Sequence, residues 1–198
     1  QRRTLEAPNM AKSMYGHIAD AWKRPKEGPA KQAQFERMIE YRRGGSFVRV
    51  HRPTRLDRAR ALGYRAKQGF VIVRAKVRRG SFRKRTINKG RRAKRKGITK
   101  ITTGKNLQRM AEERTGKRFP NLEVLTSYWI GEDGKAKYYE VILVDPHHPS
   151  ILADPKINWI AGRQHRGRAF RGLTSAGKRG RGLHNKGVGA EKLRPSLK

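Results

Sequence analysis

The sequence contains no cysteine among its 198 residues, and it is poor in acidic and in large apolar residues. The absence of cysteine excludes disulfide scaffolds, thiol nucleophiles and zinc sites with cysteine ligands. No apolar run approaches the roughly 18 residues that a membrane-spanning helix needs. No apolar segment follows the N-terminal residues Gln1-Arg2-Arg3-Thr4, as it would in a secretory signal, and we therefore expect an intracellular protein.

The shortage of acidic residues leaves a large positive charge. Fifteen Asp and Glu residues face 50 Lys and Arg residues, which gives a net charge of +35. Soluble domains usually hold their net charge to about 2–8 in magnitude, and self-repulsion at +35 opposes compaction. Leu, Ile, Val and Phe together number 38, or 19% of the chain, a composition that is typical of partly disordered proteins. We expect a polyanionic partner and no uniformly packed globule.

The charge is unevenly distributed along the chain. Residues 74–100 hold 14 basic residues and no acidic one, and residues 163–198 hold 11 basic residues and one acidic one. Residues 101–162 hold eight of each sign, and residues 1–73 hold 17 basic and six acidic residues. Blocks of like charge usually act as interaction tails. The pattern therefore predicts a neutral, apolar-rich unit between two basic arms.

Hydrophobic periodicity predicts the regular elements. Helices are expected over residues 13–22, 31–43, 55–62 and 106–114, with a short one near 156–160, and strands over residues 46–52, 69–77, 122–130 and 138–144. Ser13 and Thr54 are candidate helix N-caps, and Asp133-Gly134 indicates a hairpin between the last two strands. In the second strand, apolar residues alternate with basic ones after Val73, so one strand face is expected to leave the core for an anionic partner.

The order of these elements indicates an α+β fold. We expect a small, mainly antiparallel sheet in β-α-β-α-β-β order, with packed helices and long irregular basic extensions. Met10-Ala11-Lys12-Ser13 is typical of a translation start, so residues 1–9 are expected to be a non-structural extension. Residues 10–162 would form the core, with a basic arm at about 78–100. Residues 163–198 would form a Gly/Arg/Lys-rich C-terminal extension.

One segment nearly matches a nucleotide-binding motif. Residues Gly172 to Arg179 fit the phosphate-loop pattern G-x-x-x-x-G-K-[ST] except at the last position, where Arg179 replaces the magnesium-binding hydroxyl. The apolar strand that should precede this loop is also missing. We therefore interpret the segment as a flexible Gly-basic tail rather than as the site of a nucleotide-hydrolysing enzyme.

Two other groups of residues are candidates for a metal site and for an acid–base pair. Asp145, His147 and His148 lack an evident fourth ligand for a metal, so a turn that leaves the sheet is the preferred interpretation. Glu112 and Glu113 are adjacent on a helix and do not face each other, which favours surface ion pairs over acid–base catalysis. We expect no enzymatic activity, no metal and no cofactor.

The basic segments carry the strongest functional indication. Arginine can bind phosphate oxygens with two hydrogen bonds and can stack on bases, and binding that neutralises many phosphates weakens steeply with salt. Extended arms that become ordered on binding suit a folded RNA, with its grooves, bulges and loops. A DNA-compacting chromatin protein remains the alternative, since it would also be strongly basic.

Three stretches of the sequence resemble a known family. They run from Arg52 to Gly69, from Phe119 to Leu125 together with Tyr138 to Pro149, and from Phe170 to Lys178. They are similar to large-subunit ribosomal protein fifteen of the archaeal and eukaryotic type, which is unrelated to the bacterial protein of that number. The resemblance extends from about Met10 to the C-terminus.

The resemblance implies a structural constituent of the large ribosomal subunit in the cytoplasm. Such a protein would bind and bridge segments of the large-subunit ribosomal RNA through basic extensions and would contact neighbouring ribosomal proteins. The family has no known catalytic role or cofactor, and no membrane or small-molecule substrate is expected.

The expected RNA-binding residues are basic and lie in three regions, around the helix at 55–62, in the arm at 78–100 and in the C-terminal extension. They are Arg52, Arg55, Arg58, Arg60, Arg65, Lys67, Arg78, Arg79, Arg83, Lys84, Arg85, Arg91, Arg92, Lys94, Arg95, Lys96, Arg168, Arg171, Lys178, Arg179, Arg181 and Lys186. Most of their contacts are expected to go to phosphate and sugar rather than to bases.

Overall fold

The structure is a computed structural model that describes residues 11–85, 97–98, 101–185 and 187. Its helices are α1 (Met14–Lys23), α2 (Gly28–Arg43), α3 (Leu56–Ala61), α4 (Leu107–Arg118), α5 (Pro149–Leu152) and α6 (Ser175–Gly180). Its strands are β1 (Phe47–Val50), β2 (Phe70–Arg78), β3 (Glu123–Glu132) and β4 (Ala136–Val144). Two 3₁₀ turns cover Asn158–Ala161 and Arg163–His165. The expected extension at residues 1–9 lies outside the described residues.

The four strands form one sheet in the order β1-β2-β4-β3, and each neighbouring pair is antiparallel. The expected α+β class with a small antiparallel sheet is therefore confirmed. The Asp133-Gly134 hairpin is present as well. The Asp133 carboxylate accepts hydrogen bonds from the backbone N–H groups of Lys135 at 2.7 Å and Ala136 at 2.6 Å, which fixes the turn.

Both faces of the sheet are buried, so the molecule has two apolar cores. On one face, Ile72 and Ile142 pack with Tyr41 of α2 and with Ile160 of the first 3₁₀ turn. On the other face, residues such as Val141 of β4 pack against α4 and against Ala169 in the C-terminal part of the chain. Because β4 lies between two strands and between two cores, nearly all of its residues are buried.

The charged face of β2 leaves the core only in part, because Arg74 turns inward whereas Arg78 is exposed, as predicted. Arg74 is only 7% exposed, and its guanidinium donates to the Glu40 carboxylate at 2.7 Å and lies 4.3 Å from the Tyr41 ring centroid. The Lys76 ammonium donates to the Arg42 carbonyl at 2.9 Å. Helix α2 therefore provides the partners of Arg74 and Lys76, the first two cations of this face.

Of the two predicted helix N-caps, Ser13 is confirmed and Thr54 is not. Ser13 caps α1 by accepting from the Gly16 N–H, and α2 begins three residues earlier than predicted because Pro29 is well suited to the first turn. Thr54, predicted to cap α3, instead donates its hydroxyl to the Glu140 carboxylate.

β3 lies at the edge of the sheet, and side chains cover three of its carbonyl groups. The Val124 carbonyl accepts from Arg168 at 3.3 Å, the Ser127 carbonyl from Gln108 at 2.9 Å, and the Ile130 carbonyl from Gln34 at 3.2 Å. An uncovered edge is a template for pairing with another chain. These contacts protect the edge and tie three separate segments to it.

Part of the expected C-terminal extension packs against the core. Residues 175–180 form α6, and Ala169 and Ala176 are buried. The interpretation of residues 172–179 as a flexible tail is therefore wrong. Alanine and glycine make these contacts, and their small side chains leave no apolar period in the sequence that would have predicted them.

The residues that follow β4 form the turn that was expected there. The Asp145 carboxylate accepts from the His147 backbone N–H at 3.0 Å, and the His148 ring accepts from the Ser150 N–H at 3.1 Å as the N-cap of α5. Among the described residues, no group of three or more His, Asp or Glu residues could hold a metal ion.

Candidate nucleic-acid interface

Internal contacts already engage the carboxylates of the described residues. All 13 Asp and Glu residues there take part in a hydrogen bond or an ion pair, for example Asp20 with Lys12 and Lys23. Those two lysines lower the pKa of Asp20 to about 2. The same part of the chain carries 37 Lys and Arg residues, so its positive charges outnumber its carboxylates by 24.

Glu112 is buried and joins three segments of the chain. Its two oxygens accept hydrogen bonds at 2.5 Å from the hydroxyls of Ser127 in β3 and Thr174, which is the N-cap of α6. Burial raises the pKa of this carboxyl group, and the two hydrogen bonds oppose the rise. The prediction of surface ion pairing was wrong for Glu112. Glu113 does form ion pairs, with Arg109 at 2.9 Å and with Lys105 at 2.8 Å.

Glu140 is the buried carboxylate of the other core. It accepts from the Thr54 backbone N–H at 3.0 Å and from the hydroxyls of Thr54 and Tyr128. Burial raises its pKa, against the effect of these hydrogen bonds. Burial also raises the pKa of Tyr128, and the adjacent Glu140 adds to that rise. Glu140 therefore fixes the segment that leads into α3 against β3 and β4.

The expected basic residues around α3 fall into two groups. Arg52, Arg58 and Arg65 are exposed and make no side-chain hydrogen bond or ion pair to other described residues. The others make internal contacts. Arg55 bonds to Asp57 at 3.1 Å, Arg60 to the Tyr15 hydroxyl at 2.5 Å, and Lys67 to Asp154 at 2.5 Å.

The expected basic arm begins at the end of β2. Arg78 and Arg79 end the strand region, and Arg83, Lys84 and Arg85 are exposed in a stretch without helix or strand. Arg79 donates to the Asp133 carbonyl at 3.2 Å. The remaining expected residues of the arm lie outside the described residues; these are Arg91, Arg92, Lys94, Arg95 and Lys96.

A basic cleft of about 630 Å³ lies where β2 meets the β3–β4 hairpin. Its charged residues are Lys76, Arg78, Arg79, Arg114 and Lys135, and we call it the arm cleft. Sequence reasoning missed Arg114 and Lys135 because both are isolated cations in the neutral segment 101–162. Only the position of α4 and the hairpin turn bring them next to the arm.

The expected RNA-binding residues of the C-terminal part also fall into an exposed group and an internally bonded group. Lys178 and Arg179 are exposed on α6 and make no side-chain bond to other described residues. Arg168 donates to the Val124 carbonyl and lies 4.8 Å from the Trp159 ring centroid. Arg171 and Arg181 donate to backbone carbonyls, which include that of Gly172. Lys186 lies outside the described residues.

A second cleft, of about 370 Å³, lies along β3. Its lining includes Arg55, Arg58, Gln108, Trp129 and Arg179, and we call it the edge cleft. It joins arginines from α3 and from α6, two regions that the sequence analysis treated separately. Trp129, which sequence reasoning did not select, is part of this lining and is 37% exposed.

Comparison with known proteins decides the family. A family model described as "Ribosomal L15" matches residues 13–198. The chain belongs to this ribosomal L15 family. Membership makes it a structural ribosomal protein and not an enzyme, as the resemblance implied. Among the described residues, no helix is long and apolar enough to cross a membrane.

Curated relatives of the ribosomal L15 family match along nearly their whole length. "Large ribosomal subunit protein eL15" of Methanocorpusculum labreanum is 60% identical over 188 residues, which cover 95% of this chain and 96% of the relative. The proteins with the same name from Methanospirillum hungatei JF-1 and Methanococcoides burtonii are 58% and 57% identical over 189 residues, and each match covers 96% of both chains.

Proposed function

We propose that this protein, a structural constituent of the large ribosomal subunit in the cytoplasm, binds and bridges segments of the large-subunit ribosomal RNA. The exposed cations of the core and the basic extensions would make the contacts. The observation that carries the proposal is the surplus of 24 positive charges over carboxylates that are already engaged internally. An external polyanion is the partner that neutralises such a surplus.

The positions of the cations favour bridging over a single contact. The arm cleft lies where β2 meets the β3–β4 hairpin, and the edge cleft lies between α3 and α6. Each cleft combines cations from at least two distant segments of the chain. Arginine can bind two oxygens of one phosphate, so a cleft with several arginines suits closely spaced phosphates.

The two buried carboxylates support this function indirectly. Glu140 holds the segment before α3, and Glu112 holds Thr174 before α6. The exposed residues Arg58 and Arg179 therefore project from segments that buried hydrogen bonds attach to the sheet. Such attachment keeps the cations in place without RNA and lowers the entropic cost of binding.

The internally bonded members of the expected set have a supporting role in this proposal. Arg55, Arg60, Lys67, Arg168 and Arg171 hold loops and helices in place through their contacts. Direct RNA contact is then expected chiefly from Arg52, Arg58, Arg65, Arg78, Arg83, Lys178 and Arg179. Neighbouring ribosomal proteins are the second expected class of partner. Family membership gives no support to the alternative of a DNA-compacting protein.

Residue-resolved crosslinking of RNA to protein in assembled large subunits tests the proposal. We expect crosslinked peptides that contain Arg58, Arg78, Arg83 and Lys178, joined to large-subunit RNA. The matched comparison is the peptide that contains Lys156, a cation outside both clefts. Crosslinks absent from these four peptides, or found at Lys156 as often as in them, would contradict it. Recovery of the chain with nucleoids and not with large subunits would favour DNA binding.

A further inference from the structure

We propose that the edge cleft holds one unpaired nucleotide of an RNA loop or bulge, with the base against the Trp129 indole and the phosphate between Arg58 and Arg179. The inference rests on the proposed RNA-binding function. It adds the form of RNA that this cleft selects, namely an unstacked nucleotide rather than a continuous duplex.

The first support is the position of Trp129. It lies on the edge strand, and the register of the β3–β4 pair shifts between Trp129 and Gly131. Most of the other β3 side chains are buried, whereas this large aromatic side chain is 37% exposed and lines the cleft. Splayed-out RNA bases stack on exposed aromatic rings of this kind.

The second support is the pairing of an aromatic ring with cations. Arg58 and Arg179 are separated by more than a hundred residues in the sequence but line the same cleft, and neither makes a side-chain bond to other described residues. The arm cleft has several cations but no aromatic residue in its lining. A cleft with cations alone suits phosphates, whereas cations beside an indole suit a phosphate together with its base.

The third support is the size and rigidity of the cleft. Its volume of about 370 Å³ lies at the lower end of the range of about 300–1,000 Å³ that is found for small-ligand pockets. The Gln108 amide group donates both to the Ser127 carbonyl at 2.9 Å and to the Ser127 hydroxyl at 3.0 Å, which fixes its orientation in the wall. A small cleft with fixed polar groups suits a single nucleotide and excludes a helical segment.

Tryptophan fluorescence of the full chain tests the inference directly. The chain has three tryptophans, and Trp22→Phe with Trp159→Phe leaves Trp129 as the reporter. A single-stranded RNA hexamer should quench its emission saturably. The same hexamer paired with its complement should bind, as fluorescence anisotropy of a labelled strand would show, without comparable quenching. Inorganic phosphate alone should not quench it.

Charge variants in the same background identify the phosphate contacts. Arg58→Gln with Arg179→Gln should weaken the quenching titration about tenfold or more. Lys156→Gln with Arg24→Gln is the matched control, because it removes the same charge from exposed positions that line neither cleft. It should change the titration less than twofold. Trp129→Leu in the otherwise unaltered chain should lower hexamer affinity about tenfold, and circular dichroism would verify its fold.

The outcomes separate the inference from the function on which it rests. If both RNAs bind but Trp129 emission does not change, or the duplex quenches it equally, the edge cleft does not hold an unpaired nucleotide while RNA binding stands. If neither RNA binds to the folded chain, the proposed function fails and the inference fails with it.

Discussion

At the scale of single residues, buried carboxylates determine how the loops attach to the sheet. Glu112 lies between Ser127 and Thr174, with both of its oxygens bonded at 2.5 Å. A buried polar group that loses its partner costs about 1–3 kcal/mol, and more when the group is charged. The bond from Thr174 is therefore a sensitive point for the attachment of the C-terminal segment.

Replacement of Thr174 by valine tests this attachment. Thr174→Val keeps the shape of the side chain but removes both the donor to Glu112 and the oxygen that accepts from the Gly177 N–H, and we expect a loss of about 1–3 kcal/mol in the free energy of unfolding. Ser175→Ala, at the exposed neighbouring position, should change it by less than about 0.5 kcal/mol. Urea denaturation of both variants measures the difference. Equal effects at the two positions would contradict the role of the Thr174 hydroxyl in this attachment.

The pH dependence of stability tests Glu140. Burial raises its pKa in the folded chain above the ordinary value of 4.5. The folded chain therefore holds the Glu140 proton more tightly than the unfolded chain does, and this difference stabilises the fold. The contribution to stability is complete below pH 4.5 and is lost as the pH rises through the folded pKa. In Glu140→Gln the group stays neutral, so the stability of the wild type minus that of the variant should fall as the pH rises.

Urea denaturation at a series of pH values from 4.5 upward measures this difference for Glu140→Gln. Glu112 also has a raised pKa, but it is present in both proteins and cancels. Glu113→Gln is the control, because Glu113 is paired with Arg109 near the surface. A stability difference for Glu140→Gln that stays constant or grows with pH would show that the folded pKa is not raised.

At the scale of elements, close backbone contact positions helix α6. A Cβ atom at Gly177 would lie 2.5 Å from the Gly172 Cα and 2.7 Å from its carbonyl carbon. Gly172 itself has a φ of +66°, which glycine adopts easily. These two glycines produced the resemblance to a phosphate loop, and in the structure they let the helix approach the preceding turn.

Replacement of Gly177 by alanine should push helix α6 away from the turn at Gly172. We expect Gly177→Ala to lower the free energy of unfolding by about 1–3 kcal/mol, because the backbone of residue 172 must move. Gly45→Ala is the control, since a Cβ there meets nothing within 4 Å. Thermal denaturation followed by circular dichroism would compare them, and an unchanged midpoint for Gly177→Ala would rule out the tight contact.

The elements also show what the sequence could predict. Residues 122–130 and 138–144 have a high β propensity and an Asp-Gly turn between them, so local chemistry was enough for that hairpin. The inward position of Arg74 could not be predicted, because it depends on Glu40 and Tyr41 of another element. The edge cleft was missed for the same reason, since Trp129 and Arg179 meet only through the tertiary fold.

At the scale of the whole molecule, the net positive charge is expected to make RNA binding strongly dependent on salt concentration. When binding displaces condensed counterions, the logarithm of the binding constant falls linearly with the logarithm of the salt concentration. The magnitude of the slope is about 0.7–0.9 per phosphate contact. Arg78 and Arg83 are exposed and lie at the start of the basic arm. Arg78→Gln with Arg83→Gln should therefore reduce the slope by about 1.4–1.8 if each arginine contacts one phosphate.

The measurement is the affinity for a large-subunit RNA fragment at several salt concentrations. Lys156→Gln with Arg24→Gln is the matched control, because it removes the same charge from exposed positions outside both clefts. A slope that falls equally in the two double variants would mean that total charge, and not its position, determines binding.

The strand order also has a consequence for the time at which the chain folds. β2 pairs with β4 from Phe70↔Val144 to Arg78↔Ala136, and residues 79–135 lie between the paired ends. A chain made from its N-terminus cannot form this pair until β4 has been synthesised. The cationic segment 74–100 emerges earlier, and it is therefore available to an anionic partner before the sheet closes.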